Sequence, residues 1–341
     1  MRPPACRWLV LLLLATSARA QVTHFAYTPA ARRTHDLLLT LQLAEAHAAA
    51  HRLQAEDAGN GWGPFLRNYT TVAELLTQET EAAYERWEAE EETCLNPLEA
   101  AVRRTDQPES RHLLAELHLQ SALVRYRFGE TWAAAWRVRS AYQLLKENEA
   151  RFPDYVAQRA TLGGLRVALA SAPTTYDGLL RLTGLRADLN QGLAGIARSA
   201  EAPHPFDLEA ALLGSLLRLY VVHDTTALDD LRALRARRAD HPLVHYFALN
   251  ALVRTGHSEE ARRADATPPP GTDRLATMHY LRGEMALYDE RYAEAERYFG
   301  QFLKAFSGHS RVKDAHYKRF LARHLSGRGD ADLGAVIRHG T

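Results

Sequence analysis

Apolar residues recur every three to four positions along almost the whole chain, and sustained apolar–polar alternation is nearly absent. In 34–53, Leu37, Leu38, Leu41, Ala44, Ala48 and Leu53 share one helical face. A break follows at Gly59-Asn60-Gly61-Trp62-Gly63-Pro64. The spacing then predicts a helix over 65–92, ended or kinked by Asn96-Pro97. A third helix opens at Pro108-Glu109-Ser110 and runs to about 128, and a fourth covers 131–151, before Pro153. Further helices are predicted at 156–170, 174–183, 186–199, 205–222, 225–239, 243–254 and 257–266. The last four fall near 273–288, 291–306, 310–325 and 329–337.

Short turns between helices of this length imply antiparallel neighbours. Each helix carries one apolar stripe, which successive hairpins can bury only by stacking, so the expected fold is an all-α solenoid. Pro268-Pro269-Pro270-Gly271 is the clearest linker, since prolines leave the helical ladder. The organisation read from these breaks is 1–20, then N-terminal hairpins over 21–155, middle hairpins over 156–267 and C-terminal hairpins over 272–337.

The first twenty residues have a different pattern. Arg2 and Arg7 precede the apolar run Trp8-Leu9-Val10-Leu11-Leu12-Leu13-Leu14-Ala15, and Ala18-Arg19-Ala20 has the small-x-small form of a cleavage site. This is the layout of a secretory signal peptide, and the run is too short to span a bilayer. The mature chain is therefore expected outside the cytoplasm, in the periplasm or else extracellular or envelope-associated, and not spanning a membrane. Cleavage would also remove Cys6, leaving Cys94 without a disulfide partner. The 42 basic residues would fall to 39 against 41 acidic ones, a balance with no call for nucleic acid.

The strongest internal signal follows the proline linker. Residues 280–306 read YLRGEMALYDERYAEAERYFGQFLKAF. Gly283 is a small residue where a paired helix could approach, Tyr292 opens the return helix, and Ala295, Phe299, Phe302 and Phe306 continue its face. This segment resembles the tetratricopeptide repeat (TPR), which wants small residues at the Gly283 and Ala295 places and large ones at Tyr292 and Phe299. It departs at His279, where the family has Trp, and at Ser307-Gly308, where a Pro is expected. A partial second copy follows from Ala315 to Asp330, with Phe320 standing 37 residues after Gly283, close to the 34-residue period. Phe128-Gly129, Ala141 and Pro153 match the repeat more weakly, and Gly129 reads better as a turn. The stretch around Arg125–Glu130 and Asn148–Pro153 is similar to exported bacterial proteins of this architecture. The resemblance implies a right-handed α-solenoid that binds protein or peptide partners, with Tyr280, Glu284 and Tyr317 aimed into a concave groove.

Residues for chemistry are sparse. No H-E-x-x-H, G-x-S-x-G, Walker loop or dinucleotide fingerprint occurs, so no catalytic, cofactor or metal residue is expected. His47 and His51 stand four apart, as do His241 and His245, which is half a zinc site at most. Glu79, Glu81, Glu85, Glu88, Glu90, Glu91 and Glu92 crowd one segment, and Arg232, Arg235, Arg237 and Arg238 another. Solvated faces are the default for both. Asn68-Tyr69-Thr70 has the form of a glycosylation sequon. Two functions follow: a non-catalytic exported scaffold for protein or peptide partners in the bacterial cell envelope, or a helical glycan- or small-molecule-binding protein or hydrolase using a carboxylate pair from 79–92.

Overall fold

The structure, a computed structural model, describes residues 21–172 and 185–327. The signal peptide expected at 1–20 and the helices expected at 174–183 and 329–337 lie outside the described residues. What is described is all-helical. β-Structure there is confined to one bridge between His24 and Asn60.

The N-terminal helices are α1 (Pro29–Leu39), α2 (Leu43–Glu56), α3 (Trp62–Gln78), α4 (Glu81–Arg104), α5 (Pro108–Arg127), α6 (Thr131–Arg151) and α7 (Gln158–Ala170). After them come α8 (Leu189–Glu201), α9 (Asp207–Tyr220), α10 (Ala227–Arg237), α11 (Pro242–Arg254) and α12 (Ser258–Ala264). A 3-10 turn, Thr272–Arg274, then leads to α13 (Ala276–Tyr288), α14 (Tyr292–Ala305) and α15 (Val312–Leu325). Thr28, Thr80 and Asp188 cap α1, α4 and α8, each accepting a backbone N–H of the first turn. Pro29, Pro108 and Pro242 open α1, α5 and α11, where no backbone N–H is needed.

Two of the expected helices are in fact pairs. The stripe over 34–53 is cut at Leu41, which takes φ 62°. Leu41 N–H donates to Leu38 O and Gln42 N–H to Leu37 O, the two bonds of a Schellman end. The Thr40 hydroxyl adds a bond to Asp36 O at 2.7 Å, a local competitor of the helical ladder. The stretch 65–92 is cut at Glu79, φ 51°, after which Thr80 starts α4. Pro97 does not end that helix; it lies inside α4, which runs on to Arg104.

The same helix ending recurs. Gly129, Gly256 and Glu290 each hold a positive φ, and each reproduces the two bonds seen at Leu41. The turns α1–α2, α5–α6, α11–α12 and α13–α14 are therefore built alike, and Gly256 and Glu290 stand 34 residues apart. Each described helix packs on the next described one, and alternate helices also touch, as in α1 with α3, α3 with α5, α7 with α9, and α11 with α13.

The α13–α14 hairpin closes tightly. A Cβ on Gly283 would stand 2.8–2.9 Å from the Phe299 ring, closer than real Cβ contacts allow. Ala295, Phe299 and Phe302 are fully buried against this helix pair.

In the N-terminal half α5 is buried on most sides, so its inward residues include polar ones. Asn68 Nδ2 donates to Gln120 Oε1 at 2.6 Å, and Ser121 donates to buried Glu91. Such groups are tolerated because each finds a partner.

The helix series also returns on itself. Phe206, leading into α9, stacks on Trp62 of α3 with centroids 5.4 Å apart. Leu41 joins the cluster built from Leu208, Leu212 and Leu249. Glu79 accepts the Ser310 backbone N–H at 3.0 Å, tying the α3–α4 turn to the segment before α15.

Candidate functional site

Where α1 meets the start of α9, the structure forms an open cavity of ≈ 790 Å³. Carboxylates (Asp36, Asp207, Glu209, Asp240), imidazoles (His35, His204, His241) and two guanidiniums (Arg32, Arg238) line it. Three chain segments supply them: α1, the stretch 203–209, and the end of the α10–α11 connection.

The floor of the cavity is an aromatic cluster. His35 is buried, with centroid distances of 6.2 Å to Trp62, 6.0 Å to Tyr69 and 5.7 Å to Phe206. Its Nδ1 lies 3.1 Å from the Tyr27 hydroxyl, which sits beside Trp62. Its Nε2 lies 2.9 Å from Glu209 Oε1. Both Glu209 carboxylate oxygens are buried and accept no hydrogen bond.

The pocket shifts its own titrations. Burial holds the Tyr27 phenol well above its ordinary value, and the charges of Asp36 and Glu209 push it the same way against Arg32. Burial pushes the His241 imidazole down, with Arg238 acting alongside and Asp240, Glu209 and Asp36 acting against. His204 is also pushed down by burial; its Nε2 sits 2.9 Å from the Ser199 backbone oxygen, and its Nδ1 accepts the Phe206 N–H at 3.1 Å.

The residues expected in a groove are elsewhere and are not all together. Tyr280 and Glu284 of α13 are buried in the seam with α11 and α15. Lys318 Nζ donates to both the Tyr280 hydroxyl and Glu284 Oε1 at 2.6 Å, and Arg254 donates to Glu284 Oε2 at 3.3 Å. The Tyr280 hydroxyl in turn donates to Asp314. The reason is geometric: Tyr280 and Glu284 lie one turn apart on the α13 side that α15 covers. Tyr317 of α15 is about half exposed.

Three of the seven acids in the Glu-rich segment are paired within the molecule, and Glu81, Glu85, Glu88 and Glu92 are exposed. Glu79 pairs with Arg127, Glu90 with Arg67 at 3.0 Å, and Glu91 with both Arg125 and Arg137. His47 and His51 meet Nε2 to Nε2 at 3.0 Å, and burial with the nearby Arg67 charge pushes His51 down. Among the described residues no group of three or more His, Cys, Asp or Glu is arranged to hold a metal ion. Cys94 is buried, and burial pushes its thiol up to about 12.

The cavity escaped the sequence pattern, since His35 and Glu209 are far apart in the chain. Exposed apolar side chains surround the α5–α6 turn: Leu123, Tyr126, Trp132 (64% exposed) and Trp136 (48%). Trp132 and Trp136 stand out in the sequence as aromatics of a predicted hairpin; Leu123 and Tyr126, spaced i and i+3 on α5, do not.

No described helix is long and apolar enough to cross a membrane. No protein-family model matches this chain, and no curated protein matches it.

Proposed function

We propose that the protein is a non-catalytic, exported scaffold of the bacterial cell envelope, a right-handed TPR-like α-solenoid that binds protein or peptide partners. The repeated α1–α2, α5–α6, α11–α12 and α13–α14 turns, with helices packed on their first and second neighbours, support the stacked-hairpin reading. The leader pattern over 1–20 supports export. The observation that carries partner binding is the exposed Leu123, Tyr126, Trp132 and Trp136 around one turn. Tryptophan and tyrosine bring large contact area at low entropic cost, and clustered exposure of this kind is a binding signature. A photo-reactive residue placed at position 132 should crosslink one discrete protein in envelope fractions, and the W136A change should abolish that product. A chain that crosslinks nothing there, with its fold intact by circular dichroism, removes the reading.

A second reading, small-molecule binding, is favoured by the cavity between α1 and α9, where acids and imidazoles converge. Its volume lies within the range of ordinary ligand pockets. The carboxylates concerned belong to α1, α9 and the α10–α11 connection, not to the 79–92 segment, whose Glu79, Glu90 and Glu91 are ion-paired.

A further inference from the structure

Two histidine pairs in this chain stand four residues apart, and the fold treats them differently. At the start of α11, His245 Nε2 lies 3.1 Å from Asp265 Oδ1, and its Nδ1 accepts from Arg235 Nε at 3.4 Å. His241, at the cap of the same helix, is buried. That pair is used inside the molecule. On α2, neither His47 nor His51 has a hydrogen-bond or ion-pair partner among the described residues except the other. His47 is half-buried, His51 is exposed, and their contact is open to solvent. Exposed Ala44 and Ala48 beside them leave that face of the helix uncrowded.

The contact has the geometry of two ligands on one ion. The Nε2 atoms are 3.0 Å apart while the ring centroids are 4.6 Å apart. A head-on N–H···N bond adds two ring radii to the nitrogen separation, so these rings are tilted at the contact and are not set end to end. Two metal–nitrogen bonds of about 2.0–2.1 Å reach nitrogens 3.0 Å apart at an angle of roughly 91–97°. Tetrahedral zinc would hold them about 3.3–3.4 Å apart. A near-right angle is the cis arrangement of square or tetragonal Cu(II), which also heads the affinity order of the divalent metals that imidazole takes.

The electrostatics agree with this. Burial, the Arg67 charge and His47 push the His51 imidazole below its ordinary value, against Glu90. At neutral pH it therefore offers a lone pair. Arg67 itself is paired with Glu90 at 3.0 Å, so an ion here does not face an uncompensated guanidinium. We propose that His47 and His51 chelate one Cu(II) ion through their Nε2 atoms, with water completing its coordination. Among the described residues no third His, Cys, Asp or Glu joins the pair. The site is thus an exchangeable surface chelate, unlike a structural centre closed by four protein ligands. It depends on neither the Trp132–Trp136 surface nor the α1–α9 cavity, so the crosslinking experiment at position 132 stands or falls separately.

The test is titration of the full-length protein, free of any polyhistidine tag, with copper sulfate against glycine as competing chelator. Electron paramagnetic resonance should show one tightly held Cu(II) per chain with an axial spectrum split by two imidazole nitrogens. Zn(II) should bind more weakly by about tenfold or more. His47→Gln and His51→Gln should each weaken copper binding by about tenfold or more and erase the two-nitrogen pattern, with the circular dichroism unchanged. The exchange His51→Arg with Arg52→His keeps the composition but moves one imidazole off the shared face, and should weaken binding as much as His51→Gln. His241→Gln should leave copper binding as it is. Wild-type copper affinity in the His47 or His51 variants or in the exchanged chain, a spectrum with fewer than two imidazole nitrogens, or zinc bound as tightly as copper overturns the proposal.

Discussion

The α-carbon of Gly283 in α13 faces the Phe299 ring of α14 so closely that a methyl group there would sit 2.8–2.9 Å from three ring atoms. The ring is fully buried, so it has nowhere to retreat. Overpacking of such a site costs about 1–3 kcal/mol. Gly283→Ala should therefore lower the denaturant midpoint by that amount and Gly283→Trp by more. Combining Gly283→Ala with Phe299→Leu should recover part of the loss, read as a coupling energy in a double-mutant cycle.

At the turn just after Gly283's helix, Glu290 is exposed and holds φ 58°. A left-handed backbone costs a side-chain-bearing residue about 1–2 kcal/mol that glycine avoids. Glu290→Gly should raise stability by about 0.5–1 kcal/mol, after the extra freedom glycine has when unfolded. The equivalent turns already use Gly129 and Gly256. Thermal unfolding of the two proteins side by side checks the sign.

Glu91 is buried in α4 and pairs with both Arg125 and Arg137, while Arg125 also pairs with Glu130 and lies over the Trp87 ring at 5.4 Å. Removing Glu91 takes the acid from Arg137 while Arg125 keeps Glu130, so the cost falls at the low end of the about 3–5 kcal/mol of a broken buried pair. Glu91→Ala should lose about 3 kcal/mol in urea unfolding, and Glu91→Gln less, since its one carbonyl oxygen can still accept from Arg137 and Ser121.

Acid should weaken the fold before carboxylates titrate. Burial, with Arg137 nearby, pushes His118 down to about 4, against Glu91 acting the other way. Unfolded, this imidazole takes up its proton near pH 6.5. Between those two values the unfolded chain binds a proton that the folded chain refuses, so stability drops as pH falls from about 6.5 to 4 and this contribution levels off below. The slope is at most about 1.4 kcal/mol per pH unit for one such group. His51, His204, His241 and His279 are pushed down as well and add in the same direction. Unfolding free energies measured from pH 7 to 4 should show the decline, and His118→Gln should flatten part of it.

Helix identity was legible because it depends on neighbours three and four positions apart. The predicted 131–151 is α6 to the residue, and 243–254 differs from α11 by one. Helix ends were less so. Leu41 and Glu79 break long apolar stripes with left-handed backbone that their residue types do not advertise, and Pro97 sits quietly within α4. The small place at Gly283 and the buried Ala295 and Phe299 could be read from spacing alone. The hairpin α11–α12 obeys the same arithmetic, with Gly256 at its turn and buried Ala261 standing 34 residues before Ala295.

Sequence by itself thus determined an all-helical chain and the close α13–α14 pairing, since periodicity and small residues act over a few turns. Tertiary structure alone decided that Tyr280 and Glu284 face a seam. It also brought His35 of α1 to Glu209 of α9 and so made a charged cavity. Helical spacing dictates which side of a rod is buried; which distant rod covers it depends on how the whole series of hairpins turns back on itself.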